Sequence, residues 1–123
     1  MTNIQLNGRT YKIIDSGKGH TVVFLALGMW NLKEIKREIT RMHWLNPERV
    51  IYFKIKNNTL KRQKQKDIAL LVSDVRLYLD IQWISHFSVI VAPELTSIKN
   101  RILNNFPRDF QCPPQKKFDK HAV

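Results

Sequence analysis

Apolar and polar residues along the chain follow the spacing of β-strands in five segments. Residues 3–6 and 10–15 are short mixed runs on either side of Asn7-Gly8, a dipeptide that suits the positive φ angles of a tight hairpin turn. We therefore expect two antiparallel strands at the start of the chain. Residues 20–27 form an apolar, β-branched run, which is typical of a central strand covered on both faces.

Two further segments complete the predicted sheet. Apolar and polar residues alternate over 50–56, and a period of two residues is that of a strand. Residues 83–91 are apolar enough to lie inside the sheet. The glycines of the segment 16–19 predict a second hairpin turn before the third strand.

Three segments have the spacing of helices. An apolar stripe recurs every three or four residues over 31–45, and Asn31 can cap the exposed amides at its start. Residues 63–80 carry apolar side chains along one wide face, which predicts the longest helix, packed flat on the sheet. Pro93 suits the first turn of a third helix, whose apolar stripe ends at Phe106.

The order of these elements, β-β-β-α-β-α-β-α, predicts the fold class. Strands separated by helices imply parallel pairing through right-handed crossovers, whereas the opening hairpins are antiparallel. We expect a single α/β domain over residues 1–106, with a mixed β-sheet and helices packed on it. Residues 107–123 have no periodicity, contain three prolines and are basic, so we expect a flexible tail there.

The composition narrows the class of protein further. The chain has 123 residues, of which 43% are hydrophobic and 25% charged, as in a packed globular protein. No uncharged stretch is long enough to cross a bilayer, and the first residues lack the apolar core of a secretory signal. A lone Cys112 cannot form an internal disulfide. We expect a cytoplasmic protein without membrane contact.

Residue types that carry catalysis or bind metals are present without the required arrangement. The segment 16–21 lacks the Lys followed directly by Ser or Thr that opens a helix in a phosphate-binding loop. Asp15, Glu34 and Lys36 match the spacing of some metal-dependent nucleases, yet Glu34 and Lys36 diverge by about 200° on a helix. The histidines and Cys112 have no ligand spacing for zinc. The sequence therefore predicts no enzyme, no metal site and no cofactor.

The opening stretch NGRTYKIIDSGKGHTVVFLALGM resembles the start of the α/β-hydrolases, where a similar hairpin leads into the first central strand. The likeness covers about a fifth of the chain. That family would continue with His-Gly where this chain has Ala26-Leu27-Gly28, and its Gly-x-Ser-x-Gly nucleophile elbow is missing. The element order is similar to that of ribonuclease-H-like nucleases in topology alone, because their metal-binding acids have no counterpart here. Neither resemblance implies a catalytic residue.

The large positive net charge is the most unusual feature of the composition. Lys and Arg number 21 against 10 Asp and Glu, which gives a formal charge of +11 and favours a polyanionic partner. Six cations fall within thirteen residues that contain no acid: Lys54, Lys56, Lys61, Arg62, Lys64 and Lys66. This block runs from the end of a strand into a helix, where ligands bind in open α/β sheets. Cations at a helix start oppose its dipole, so helix stability does not explain them.

The sequence therefore predicts a non-catalytic, largely sequence-nonspecific accessory protein that binds nucleic acid, either DNA or RNA, through a basic face. The first helix would extend this face through four more cations: Lys33, Lys36, Arg37 and Arg41. Trp30, Trp44 and Tyr52 lie in or beside the basic elements and are candidates for base stacking, with packing in the core as the alternative. The alternative function is a protein-interaction adaptor or inhibitor, of the phage, plasmid or secretion-apparatus type, that docks on an acidic protein partner.

Overall fold

The structure, a computed structural model, describes residues 2–43, 47–56 and 64–106 and consists of one five-stranded sheet with helices on both faces. The strands are β1 (Thr2–Leu6), β2 (Arg9–Gly17), β3 (Thr21–Ala26), β4 (Arg49–Lys54) and β5 (Phe87–Val91). The helices are α1 (Leu32–His43), α2 (Gln65–Ile81), a 3₁₀ helix (Pro93–Ile98) and α3 (Lys99–Asn104). The α/β class predicted from the sequence is confirmed. The predicted tail, residues 107–123, lies outside the described residues.

The strands are ordered β1-β2-β4-β3-β5 across the sheet. β1 and β2 pair antiparallel around a turn in which Asn7 and Gly8 both have positive φ, which confirms the first predicted hairpin. The second predicted hairpin is wrong, because β2 and β3 do not pair with each other. β4 inserts between them, antiparallel to β2 and parallel to β3, and the segment after Gly17 crosses over the start of β4.

Each face of the sheet carries its own apolar core. On one face α1 places Ile35 and Ile39 over side chains of β3, β4 and β5 that include Phe24. On the other face α2 and the segment 93–106 cover a larger core that includes Leu25 and Phe53. Alternation along β4 explains the division, since Ile51 and Phe53 face α2 whereas Val50 and Tyr52 face α1.

The apolar run of β5 does not make it an internal strand. Within the described residues β5 pairs only with β3 and forms one edge of the sheet, although all five of its residues are buried. The expectation that it lies between two strands is therefore wrong. An apolar run indicates that both faces of a strand are covered by helices, but it does not indicate how many strands pair with that strand.

The ends of the helices follow the capping residues that the sequence contains. Asn31 Oδ1 accepts the Glu34 amide at 2.8 Å, and Glu34 Oε1 accepts the Asn31 amide at 3.1 Å, so the two form a capping box at the start of α1. The third helix begins at Pro93 as predicted, but as a 3₁₀ turn that kinks at Leu95 before α3 starts. In the described ranges no helix is both long enough and apolar enough to span a lipid bilayer.

Candidate nucleic-acid interface

The carboxyl ends of the parallel strands β3, β4 and β5 form one edge of the sheet, which we call the carboxyl edge. It consists of the segments 27–31, 54–56 and 92–94 that follow these strands, together with the starts of α1 and α2. The hairpin turn between β1 and β2 lies at the same edge, because β2 is antiparallel to β4. Open α/β sheets bind ligands in the crevice at this edge.

The loop after β3 is held at the carboxyl edge by one carboxylate. Glu94 Oε2 accepts hydrogen bonds from the amides of Leu27 at 3.1 Å and Gly28 at 2.9 Å, and from Trp30 Nε1 at 3.3 Å. From below, the Tyr52 hydroxyl donates to the Gly28 carbonyl at 2.5 Å. Glu94 is therefore engaged with the chain itself, and three N–H dipoles stabilise its charge.

The predicted basic block divides at the end of β4. Lys54 lies two residues after Tyr52 in β4, so its side chain is on the same α1 face, directly opposite Lys12 in the register of β2 and β4. Lys56 lines a cleft of about 480 Å³ on the other face, between the hairpin turn and the first turns of α2. The two residues thus border the carboxyl edge from opposite sides.

The rest of the block surrounds the start of α2. Lys64 directly precedes the helix, Lys66 lies in its first turn, and both side chains are exposed. Lys61 and Arg62 lie outside the described residues. The structure therefore brings four of the six predicted cations to the carboxyl edge, where Lys33 in the first turn of α1 joins them.

The remaining cations of α1 run away from this edge along the exposed side of the helix. Lys36, Arg37 and Arg41 are exposed, and Arg41 Nη2 forms an ion pair with Glu38 Oε1 at 3.0 Å. The predicted cations on α1 therefore form a stripe that starts at the carboxyl edge with Lys33. The stripe ends at Arg41, whose charge is compensated by Glu38. Lys36 and Arg37 are the members of this stripe nearest Lys33 that have no ion pair within the described residues.

The acid residues of the described chain are largely engaged within the fold. Asp74 on α2 is fully buried and accepts hydrogen bonds from Asn7 Nδ2 at 2.7 Å, Arg9 Nε at 2.6 Å, Arg9 Nη2 at 2.8 Å and the Tyr11 hydroxyl. Burial opposes the ionisation of Asp74, but these hydrogen bonds outweigh it and lower its pKa below the ordinary value. The network ties the β1–β2 hairpin to α2.

A second network joins β2, β4 and α2 at the opposite edge of the sheet. Asp15 accepts two hydrogen bonds from Arg49, at 2.8 and 2.7 Å, and one from the Tyr78 hydroxyl at 2.6 Å. Burial again opposes ionisation, and the hydrogen bonds from Arg49 and Tyr78 again lower the pKa of Asp15. Six carboxylates in the described ranges accept hydrogen bonds from the chain itself: Asp15, Glu34, Glu38, Glu48, Asp74 and Glu94.

Two of the three candidate stacking residues can be placed. Tyr52 is completely buried and cannot stack on a base, so the alternative, packing in the core, applies to it. Trp30 is half-buried and packs edge-on against Phe24, with ring centroids 4.9 Å apart. Trp44 lies outside the described residues. The exposed aromatic side chain of the described chain that sequence reasoning missed is Trp83, whose exposed fraction is 94%.

The alternative chemistries gain no geometric support from the described residues. Asp15 is paired with Arg49 and Glu34 caps α1, at opposite edges of the sheet, so they do not share a metal. The segment after Gly17 is packed against β4, where a Cβ at Gly17 would come within 2.0 Å of the Glu48 carbonyl oxygen. Residues 2–43, 47–56 and 64–106 contain no cluster of His, Cys, Asp or Glu able to hold a metal ion.

Comparison with known proteins adds no constraint to this geometry. No protein-family model matches the chain, no curated protein is similar to it, and no solved structure matches its fold.

Proposed function

We propose that this protein is a non-catalytic, cytoplasmic accessory protein that binds nucleic acid through phosphate contacts at its carboxyl edge, without sequence specificity. The observation that carries the proposal is the imbalance of charge at this edge. Five exposed or half-exposed lysines lie there without an ion pair in the described chain: Lys33, Lys54, Lys56, Lys64 and Lys66. Of the carboxylates nearby, Glu94 and Glu34 are engaged by backbone amides, and Asp67 in the first turn of α2 is the acid that remains among these lysines.

The orientation of α1 supports a continuous basic surface. At about 100° per residue, Lys33 and Lys36 project to one side of the buried stripe of Ile35 and Ile39, and Glu38 and Arg41 project to the other side. A right-handed crossover from β3 to β4 turns the side with Lys33 and Lys36 toward β4 and β2. That side overlooks the open part of the sheet where Lys12 and Lys54 are paired.

The open part of the sheet offers room for a polyanion. The side chains of β1 and β2 on the α1 face are mostly polar and exposed or half-exposed, namely Asn3, Gln5, Thr10 and Lys12, whereas Ile14 packs against the core beneath α1. Backbone recognition of nucleic acid requires cations and amide or hydroxyl donors, and it carries no sequence information by itself. A surface of this composition is therefore suited to phosphate and sugar contacts.

The strength of binding should depend steeply on salt. With about five phosphate contacts, the slope of log K against log salt should be about −3.5 for a single strand and about −4.5 for a duplex. We expect fluorescence anisotropy of a labelled oligonucleotide at several salt concentrations to give slopes of this size. An absence of association with any DNA or RNA at low salt would overturn the proposal.

A set of variants with equal net charge tests the position of the surface. Lys54→Gln/Lys64→Gln removes two charges from the carboxyl edge, and Lys18→Gln/Lys99→Gln removes two charges elsewhere on the protein. The edge variant should lose roughly 30- to 100-fold in affinity at about 0.1 M salt, and its salt slope should shrink by about two contacts, whereas the control should change little. Equal losses in both variants would show that net charge alone, and not this edge, holds the nucleic acid.

The same variants separate the alternative function, an adaptor on an acidic protein. Poly-L-glutamate is an acidic polypeptide without bases or phosphates and serves as the probe. If the edge variant loses affinity for poly-L-glutamate while every nucleic acid binds weakly to the wild type and the variant alike, the adaptor hypothesis replaces the proposal.

A further inference from the structure

Trp83 occupies a backbone position that favours glycine. The end of α2 forms a Schellman motif, in which the Ile84 amide donates to the Leu79 carbonyl at 2.9 Å and the Trp83 amide donates to the Asp80 carbonyl at 3.1 Å. This motif places Trp83 in the left-handed region, with a φ of 60°. A bulky residue with positive φ is strained and therefore suggests a role beyond folding.

The indole of Trp83 makes little packing contact with the rest of the protein, so packing does not offset the strain of its backbone. Its exposed fraction is 94%, so almost none of its apolar surface is removed from water. A strained backbone together with an exposed tryptophan points to a contact with a partner, because aromatic anchors of this kind carry much of the binding energy at interfaces.

Trp83 stands at the mouth of a cleft of about 360 Å³. The floor of the cleft is apolar and consists of Leu79, Ile84 and Phe87, whereas Arg76 and Asp80 form a polar rim. An apolar floor, an exposed aromatic face and groups that form hydrogen bonds at the rim suit a planar ligand with polar edges. An unpaired nucleobase has this form.

Two further hollows lie along α2 between the Trp83 cleft and the proposed interface. The cleft that Lys56 and Arg9 line at the carboxyl edge faces the first turns of α2. A second hollow, lined by Asn7 and Ser73, follows one turn further on and shares Arg76 and Asp80 with the Trp83 cleft. The track from the start of α2 to its end is about 25 Å long at 1.5 Å per residue, which is room for several nucleotides.

We propose that the nucleic acid is single-stranded, that its backbone follows α2 from Lys56 and Lys66 to Arg76, and that one base stacks on Trp83 in the cleft at the end of the helix. This inference rests on the proposed function. A paired base in a duplex keeps its face covered by its neighbours, so only a single strand can offer a base to this platform. Asp67 and Asp80 on the track cannot attract phosphates, but Asp80 can accept a hydrogen bond from the N–H groups of a base edge.

The test uses Trp83→Gly on the full chain, with a fluorescein-labelled 12-nucleotide oligodeoxyadenylate and a 12-base-pair duplex as probes. Glycine is the residue that position C′ of a Schellman motif prefers, so the variant should fold with a melting temperature equal to or above that of the wild type. Loss of one stacked base should weaken binding of the single strand about five- to 100-fold and leave duplex binding unchanged. Ile81→Ala, which removes an exposed apolar side chain two residues away, is the matched control.

The outcomes separate this inference from the proposed function. If neither probe binds the wild type, the proposed function fails. If both bind and Trp83→Gly binds the single strand as tightly as the wild type does, or weakens both probes equally, only the stacking inference is overturned. Trp83→Asn also tolerates positive φ and decides the question if the glycine variant does not fold. Arg76→Gln should in addition reduce the salt slope for the single strand by about 0.7.

Discussion

The buried carboxylate of Asp74 should be the most sensitive polar position of the fold. Its two oxygens accept four hydrogen bonds, from Asn7, Arg9 and Tyr11, and its side chain has no exposed surface. Asp74→Ala removes the acceptor and leaves its donors without a partner. Arg9 keeps 39% of its side chain exposed and can turn to water, but the Tyr11 hydroxyl is buried and cannot.

The size of the effect follows from these contacts. Removing one member of a buried ion pair costs about 3 to 5 kcal/mol, and the partial exposure of Arg9 places the expected loss toward the lower end, at about 3 kcal/mol. Tyr11→Phe leaves Asp74 with its other three hydrogen bonds and should cost about 1 kcal/mol. A domain of this size is stable by about 5 to 15 kcal/mol, so Asp74→Ala should remain folded but have a much lower urea midpoint.

Urea unfolding followed by circular dichroism measures these differences. Asp80→Ala, on the exposed side of the same helix, is the control and should stay within about 0.5 kcal/mol of the wild type. Arg9→Met combined with Asp74→Leu replaces the pair by apolar side chains and should cost less than Asp74→Ala alone. A loss below about 1 kcal/mol in Asp74→Ala would refute the reasoning, since the network would then contribute no more than one ordinary hydrogen bond.

Three further predictions follow from the same structure. Burial raises the pKa of every tyrosine, namely Tyr11, Tyr52 and Tyr78, so at pH 10 an absorbance titration should show less tyrosinate in the folded protein than in the protein unfolded by urea, and equal amounts would contradict this. The pKa of Asp15 is lower in the folded protein than in the unfolded chain, so its ionised form stabilises the fold above about pH 4. This stabilisation is lost as pH falls through the folded-state pKa. The urea midpoint of Asp15→Asn should therefore change less with pH between about 5 and 2 than that of the wild type. Gly17→Ala should destabilise the fold by clearly more than Gly8→Ala in the same urea assay, because both have positive φ but only Gly17 has a carbonyl oxygen 2.0 Å from the added Cβ.

Local patterns were sufficient to predict most of the elements. A hairpin at Asn7-Gly8, a helix capped by Asn31 and the strand over β4 each depend on residues close together in sequence, so the sequence contains the whole cause. The positions of the elements in space depend on distant contacts. β4 inserts between β2 and β3 through contacts between residues 28 to 42 positions apart in the chain, which no local turn signal specifies.

The sequence predicted the lysines of the candidate site but not its exposed tryptophan. The acid-free block pointed to the carboxyl edge because its location follows from a strand followed by a helix. Trp83 was assigned to the start of a strand, and its exposure depends on where α2 ends and on the left-handed backbone of the motif there. Tyr52, in contrast, was a candidate for base stacking and is buried. The helix that buries it is α1, and the pattern of the strand alone does not show that α1 lies over β4.

The same distant contacts engage several of the protein's acids within the fold. The buried Asp74 and the paired Asp15 hold hairpin, sheet and α2 together, so two of the ten acids serve the fold and are withdrawn from the surface. Glu94 and Glu34 are likewise occupied at the carboxyl edge by N–H donors of the chain. Lysines at the same edge are exposed or half-exposed and have no ion pair in the described chain. A partner that approaches this edge therefore meets five lysines, with Asp67 as the carboxylate among them that accepts no hydrogen bond in the described chain. That excess of cations attracts a polyanion over a range set by the screening length of about 10 Å at 0.1 M salt.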